Sequence, residues 1–168
     1  MTGAMMGKSI VTAPEGANWF EIVRDFEAPR ALVWKMYTEP QHLMHFWGPK
    51  DGSVPRCELD LRVGGMWHHT MRFTGGSDYS YSSRYLEIVP PEKLVYRDAP
   101  LNATADDELD PPTMISTIRL EEIGTGTRVI AHVELTTTEA RDTTIRNGFA
   151  LMVDGGNDQL EEYLRQLL

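Results

Sequence analysis

The run at residues 66–73, MWHHTMRF, holds the side chain best suited to chemistry in this sequence. It alternates Trp67, His69, Met71 and Phe73 on one side with Met66, His68, Thr70 and Arg72 on the other, the period of a strand with one apolar face. If Trp67, Met71 and Phe73 point inward, His69 must as well. A neutral imidazole in apolar surroundings can donate, accept or serve as a general base near neutral pH. It can equally be held by a backbone or tyrosine group and do no chemistry. His68, on the other side, is expected in solvent. Tyr79, Tyr81 and Tyr85 share one face of the following run, where antiparallel pairing would set some of them beside His69. Their hydroxyls can orient a ligand or lie at the rim of an ordinary core.

The remaining reactive residue types are scattered. His42 and His45 stand three apart, which can place both on one side for a metal, but no third ligand accompanies them and no metal site is expected. Cys57 is the only cysteine, so no internal disulfide can form. It has no zinc-type spacing and nothing to lower its pKa, and is expected as a small buried residue. There is no phosphate-binding loop, dinucleotide glycine fingerprint or GxSxG elbow, and no cofactor is expected. The formal net charge of -9 argues against nucleic acid and against an anionic membrane surface. The N-terminal MTGAMMGKS lacks the apolar stretch of a signal peptide, and no apolar run approaches membrane-spanning length, so a cytoplasmic location is expected.

The elements that would position His69 follow from the pattern of the 168 residues, of which 41% are hydrophobic, the balance of one globular domain. Residues 1–16 lack apolar periodicity and read as a flexible tail, with the domain at 17–168. WFEIVRDF, starting at Trp19, reads as a strand. Pro29 and Pro40 open two short helices, RALVWKMYT and QHLMHFW, the second ended by Gly48-Pro49. Six further strands are expected at 53–61, 65–73, 79–89, 93–97, 114–123 and 127–135, with connections short enough for an antiparallel meander. The exception is 99–112, APLNATADDELDPP, a mobile solvated loop or a lid. Gly64-Gly65 reads as a bend that lets the sheet curl. Beyond Thr136 and Glu139, at capping-box spacing, Ile145, Phe149, Met152, Val153, Gly156, Leu160, Tyr163, Leu164 and Leu167 recur at steps of three and four. One long amphipathic helix is expected, with Gly155-Gly156 demanding a close neighbour or a bend. This order gives an α+β domain, an antiparallel sheet curled around the last helix with room for a ligand at one end.

Several short motifs occur in a familiar order: Ala28-Pro29-Arg30 with Val33-Trp34, Trp47-Gly48-Pro49, and Asp60-Leu61-Arg62 with Gly64-Gly65 and Trp67. Tyr85-Leu86-Glu87-Ile88, Pro90-Pro91-Glu92-Lys93-Leu94-Val95-Tyr96 and Gly126-Thr127-Arg128 continue it. Over 19–168 the chain resembles the START-like (SRPBCC, Bet v 1-like) helix-grip proteins, in the branch similar to the C-terminal domain of the activator of heat-shock protein 90 ATPase. It departs from that pattern at Ser83-Arg84-Tyr85, where a glycine often precedes the tyrosine, and at Phe149, where tryptophan is common. The resemblance implies the fold, and together with the residues singled out above it leaves three functional expectations. The first is binding of a small hydrophobic or aromatic molecule by Trp47, Trp67, His69, Met71, Tyr81, Tyr85, Met114, Ile118, Phe149, Met152 and Val153. The second is a cyclase or hydrolase using His69 in the same cavity. The third is a chaperone-associated interaction domain. A homodimer is left open.

Overall fold

Eight strands form one antiparallel sheet in the order β1-β2-β8-β7-β6-β5-β4-β3. The computed structural model describes residues 8–168. In chain order the elements are β1 (Ile10–Thr12), β2 (Trp19–Phe26), α1 (Arg30–Thr38), α2 (Pro40–Leu43), β3 (Ser53–Leu59), β4 (Met66–Arg72), β5 (Asp78–Val89) and β6 (Lys93–Ala99). β7 (Met114–Ile123), β8 (Gly126–Leu135), α3 (Thr138–Arg146) and α4 (Phe149–Leu167) complete the chain. β3 to β8 run as the expected meander, and β2 pairs with β8 from Trp19↔Glu134 to Phe26↔Thr127. β1 and β3 remain edges, so the sheet curls without closing. Its bending has a local cause: the register slips between Ser53 and Arg56 on β3 and between Tyr85 and Glu87 on β5, and such bulges increase strand twist. The result is the α+β helix-grip architecture.

Two apolar clusters fill the concave side. One joins α1, α2 and the centre of the sheet to Leu160 and Leu164 of α4. The other joins Phe20, Ile22, Val133 and Leu135 to Ala150, with Ile145, Phe149 and Val153 packed against it. Arg24, 1% exposed on β2, ties α4 to the sheet through Asp158 at 2.7 Å and Glu161 at 3.3 Å. No helix among the described residues is long and apolar enough to cross a membrane.

Several sequence expectations change. The flexible tail falls partly on residues 1–7, outside the described residues. Within the rest, Ile10, Val11 and Thr12 pair with Val23, Ile22 and Glu21. Three consecutive β-branched residues suit an edge strand but are too few to display a period. The second short helix covers only Pro40–Leu43, which leaves His45 beyond its end. Gly64 and Gly65 close the β3–β4 turn and dock it on the neighbouring strand, with Gly64 N–H donating to Tyr85 O at 2.8 Å. The bending is carried by the bulges instead.

The expected single C-terminal helix is two. Gly148 has φ +93°, a left-handed conformation that β-carbon sterics make costly for other residues, and it breaks the chain between α3 and α4. The cap is Thr137, whose hydroxyl accepts from Ala140 N–H, one residue beyond the expected Thr136. Gly156 meets the close neighbour anticipated for it, since a Cβ there would lie 2.9 Å from the Phe46 carbonyl oxygen. The 99–112 segment is strapped to the sheet: the Arg84 guanidinium donates to Thr104 O and Asp107 O at 2.8 and 2.7 Å, and Arg97 to Asp110 O at 2.6 Å.

Candidate functional site

A cavity of about 200 Å³ lies between the concave face of the sheet and α4, bordered by residues of both apolar clusters. Small residues, Gly48, Ser83, Ser116, Ala131 and Gly156, form part of its border. β4 contributes Trp67, His69 and Met71, and β5 contributes Tyr81. Met114 and Ile118 come from β7, Phe149, Met152 and Val153 from the first turns of α4, and Trp47 from the turn after α2. The fold therefore gathers these expected positions around one space.

Tyr85 is the exception. It lies in the first cluster, 1% exposed, with its ring 6.5 Å from that of Tyr96, and does not border the cavity. Tyr79 is also outside, 52% exposed with its ring edge-on to Phe73. Strand alternation puts Tyr81 and Tyr85 on one face, but Tyr85 packs into the first cluster while Tyr81 lies at the cavity's edge, 47% exposed.

His69 sits in an aromatic stack. Its ring lies 4.6 Å from Trp67 and 5.4 Å from Tyr81, both near parallel, and Tyr81 is its register partner across β4 and β5. Trp47 Nε1 donates to His69 Nε2 at 3.2 Å. An indole nitrogen can only donate, so Nε2 is the acceptor and the neutral ring carries its proton on Nδ1. Burial, followed by the neighbouring His68, pulls the His69 pKa down to about 4. The imidazole is thus uncharged at neutral pH, a weak base, and has its one lone pair engaged by an indole. This arrangement favours a fixed aromatic wall over proton abstraction.

The other singled-out residues have structural partners. His68 Nδ1 lies 2.6 Å from Ser82 Oγ. His42 Nδ1 lies 2.7 Å from the Tyr163 hydroxyl, and His45 stacks on the same ring at 4.2 Å. The Cys57 thiol is pushed up to about 11, chiefly by burial, which makes it a poor nucleophile.

Sequence reasoning missed Tyr37 on α1 together with Tyr96, Asp98, Ser83 and Ser116 on the sheet, all of which border the cavity. The inward alternation of Leu94, Tyr96 and Asp98 along β6 was a usable signal for part of this set.

No curated protein matches the chain. Among solved structures, one from Nitrosomonas europaea is 29% identical and superposes with a TM-score of 0.80 over 88% of this chain and 94% of its own. One from Mycobacterium smegmatis is 21% identical, with a TM-score of 0.82 over 96% and 100%. A solution structure from Arthrobacter aurescens is 21% identical, with a TM-score of 0.80 over 94% and 91%. Residues 27–168 match the family described as Activator of Hsp90 ATPase homolog 1-like protein. With that match spanning the α1–α4 body of the fold, the chain belongs to the Activator of Hsp90 ATPase homolog 1-like family.

Proposed function

We propose that this protein binds a small hydrophobic or aromatic molecule between the curled sheet and α4. The observation that carries the reading is the cavity of about 200 Å³ with its apolar and aromatic lining. Roughly 150 Å³ of apolar space is enough to hold benzene, so an aromatic molecule of one or two rings fits. Trp47, Trp67 and Tyr81 offer ring faces and edges, while Met71, Met114 and Met152 offer adaptable walls.

Binding to the native state must raise the melting temperature. At a hundred times Kd the stabilisation is about 2.7 kcal/mol, on the order of 5–10 °C for a domain of this size. A thermal-shift panel of uncharged aromatic and aliphatic compounds should therefore contain clear positives. Met152→Trp, which fills the space, should abolish them while the protein remains folded; no shift with any compound would overturn the reading.

A cyclase or hydrolase in the same cavity would need His69 as its base, and the engaged Nε2 weighs against it. A chaperone-associated role draws its support from the family's description.

A further inference from the structure

The polar groups around the cavity can be followed one by one. Trp47 Nε1 and His69 Nε2 engage each other. Ser82 Oγ meets His68 Nδ1 at 2.6 Å and accepts from the Asn102 N–H at 3.2 Å. Both Asp98 carboxylate oxygens are occupied, Oδ1 by the N–H groups of Thr113 and Met114, and Oδ2 by the Thr113 hydroxyl. Asn157 donates its amide to Ser9 Oγ at 3.1 Å.

Left without a hydrogen-bond partner among the described residues are the buried His69 Nδ1–H and Trp67 indole N–H, both on cavity-lining residues, and beside them stands a set of hydroxyls. Tyr37 and Ser83 make no hydrogen bond among the described residues, although they are only 7% and 8% exposed. Tyr96 and Ser116 are register partners on β6 and β7, with their hydroxyls side by side. A hydroxyl that borders the cavity without a protein partner gains a hydrogen bond when a ligand delivers an oxygen to it. Charge finds no such reception. His69 is neutral, and burial pushes the Tyr37 and Tyr96 phenols well above their usual range, so they remain protonated. A ligand carboxylate would be buried with no cation among the lining residues to receive it, and an ammonium would find only the Asp98 carboxylate, whose oxygens are already held by three donors.

We propose that the cavity selects an uncharged, mainly apolar molecule bearing a hydroxyl or carbonyl oxygen, which docks on the hydroxyls of Tyr37, Ser83 and Tyr96 while its body lies against the apolar walls of β4 and α4. The proposal rests on the binding reading above and names its ligand class.

Calorimetric titration of the full chain with naphthalene, 2-naphthol, 2-naphthoate and 2-naphthylmethylammonium tests it. 2-Naphthol should bind about tenfold more tightly than naphthalene, the worth of one net hydrogen bond. Both charged probes should bind at least about tenfold more weakly than 2-naphthol. Tyr37→Phe and Ser83→Ala should each lower the ratio of naphthol to naphthalene affinity; Ser83→Ala, the smaller change, carries the test if Tyr37→Phe does not fold. Equal binding of naphthol and naphthalene, tighter binding of either charged probe, or a naphthol advantage untouched by both substitutions would overturn the selection while the binding reading stands. Failure of all four probes would overturn both.

Discussion

The Trp47 indole N–H donates to His69 Nε2 across 3.2 Å, joining the turn after α2 to the centre of β4. That bond favours the neutral imidazole, because a protonated Nε2 cannot accept. Trp47→Phe keeps a ring and removes the donor. The His69 pKa should then rise slightly from about 4 while burial and His68 keep it below its ordinary range, read from the pH dependence of its ring proton shifts, with a stability loss of about 1–2 kcal/mol. An unchanged His69 titration would show that the bond has no influence on the ring.

Acid stability should carry the mark of the same residue. His69 is held near 4 in the folded protein and titrates near 6.5 when unfolded. The unfolded chain therefore binds the extra proton first, and stability fully present above about pH 6.5 is lost as pH falls toward 4. The amount is on the order of 3 kcal/mol. Urea unfolding at pH 7 and pH 4.5 should show a smaller difference in His69→Gln than in wild type. His68 is also shifted down, so the comparison between the two proteins isolates His69.

Adjacent glycines in α4 should respond oppositely to alanine. A Cβ at Gly155 meets nothing within 4 Å, whereas at Gly156 it meets the Phe46 carbonyl oxygen at 2.9 Å. Gly155→Ala should stabilise by up to about 1 kcal/mol through helix propensity. Gly156→Ala should destabilise by about 1–2 kcal/mol by forcing α4 from the turn that carries Phe46 and Trp47. Denaturant midpoints measure both, and a Gly156→Ala protein as stable as wild type would refute the close contact.

Arg24 is buried while its partners are partly solvated, with Asp154, Asp158 and Glu161 side chains 46%, 51% and 22% exposed. Arg24→Met should destabilise by about 1–3 kcal/mol, less than a fully buried pair because water screens the carboxylates left behind. Adding Asp158→Asn should recover part of the loss. A double-mutant cycle with no coupling between these positions would contradict the latch between β2 and α4.

The sequence by itself determined the sheet, the helical C-terminal region and the inward face of β4, because these follow from local periods. His69 had to share a side with Trp67 and Met71, and Phe149, Met152 and Val153 had to share a face of one helix. Only the tertiary structure decided what those faces meet. Trp47 occupies the His69 lone pair from 22 positions earlier in the chain. Gly148, which lies off the apolar period and leaves it unbroken, divides the terminal helix. Tyr85 packs into the first cluster while Tyr81, two strand periods earlier, borders the cavity, and Tyr37 arrives at the same cavity from α1. Such relationships depend on the curvature and docking of elements distant in sequence. A period records which way a side chain points, and carries no information about whether the space in front of it is filled.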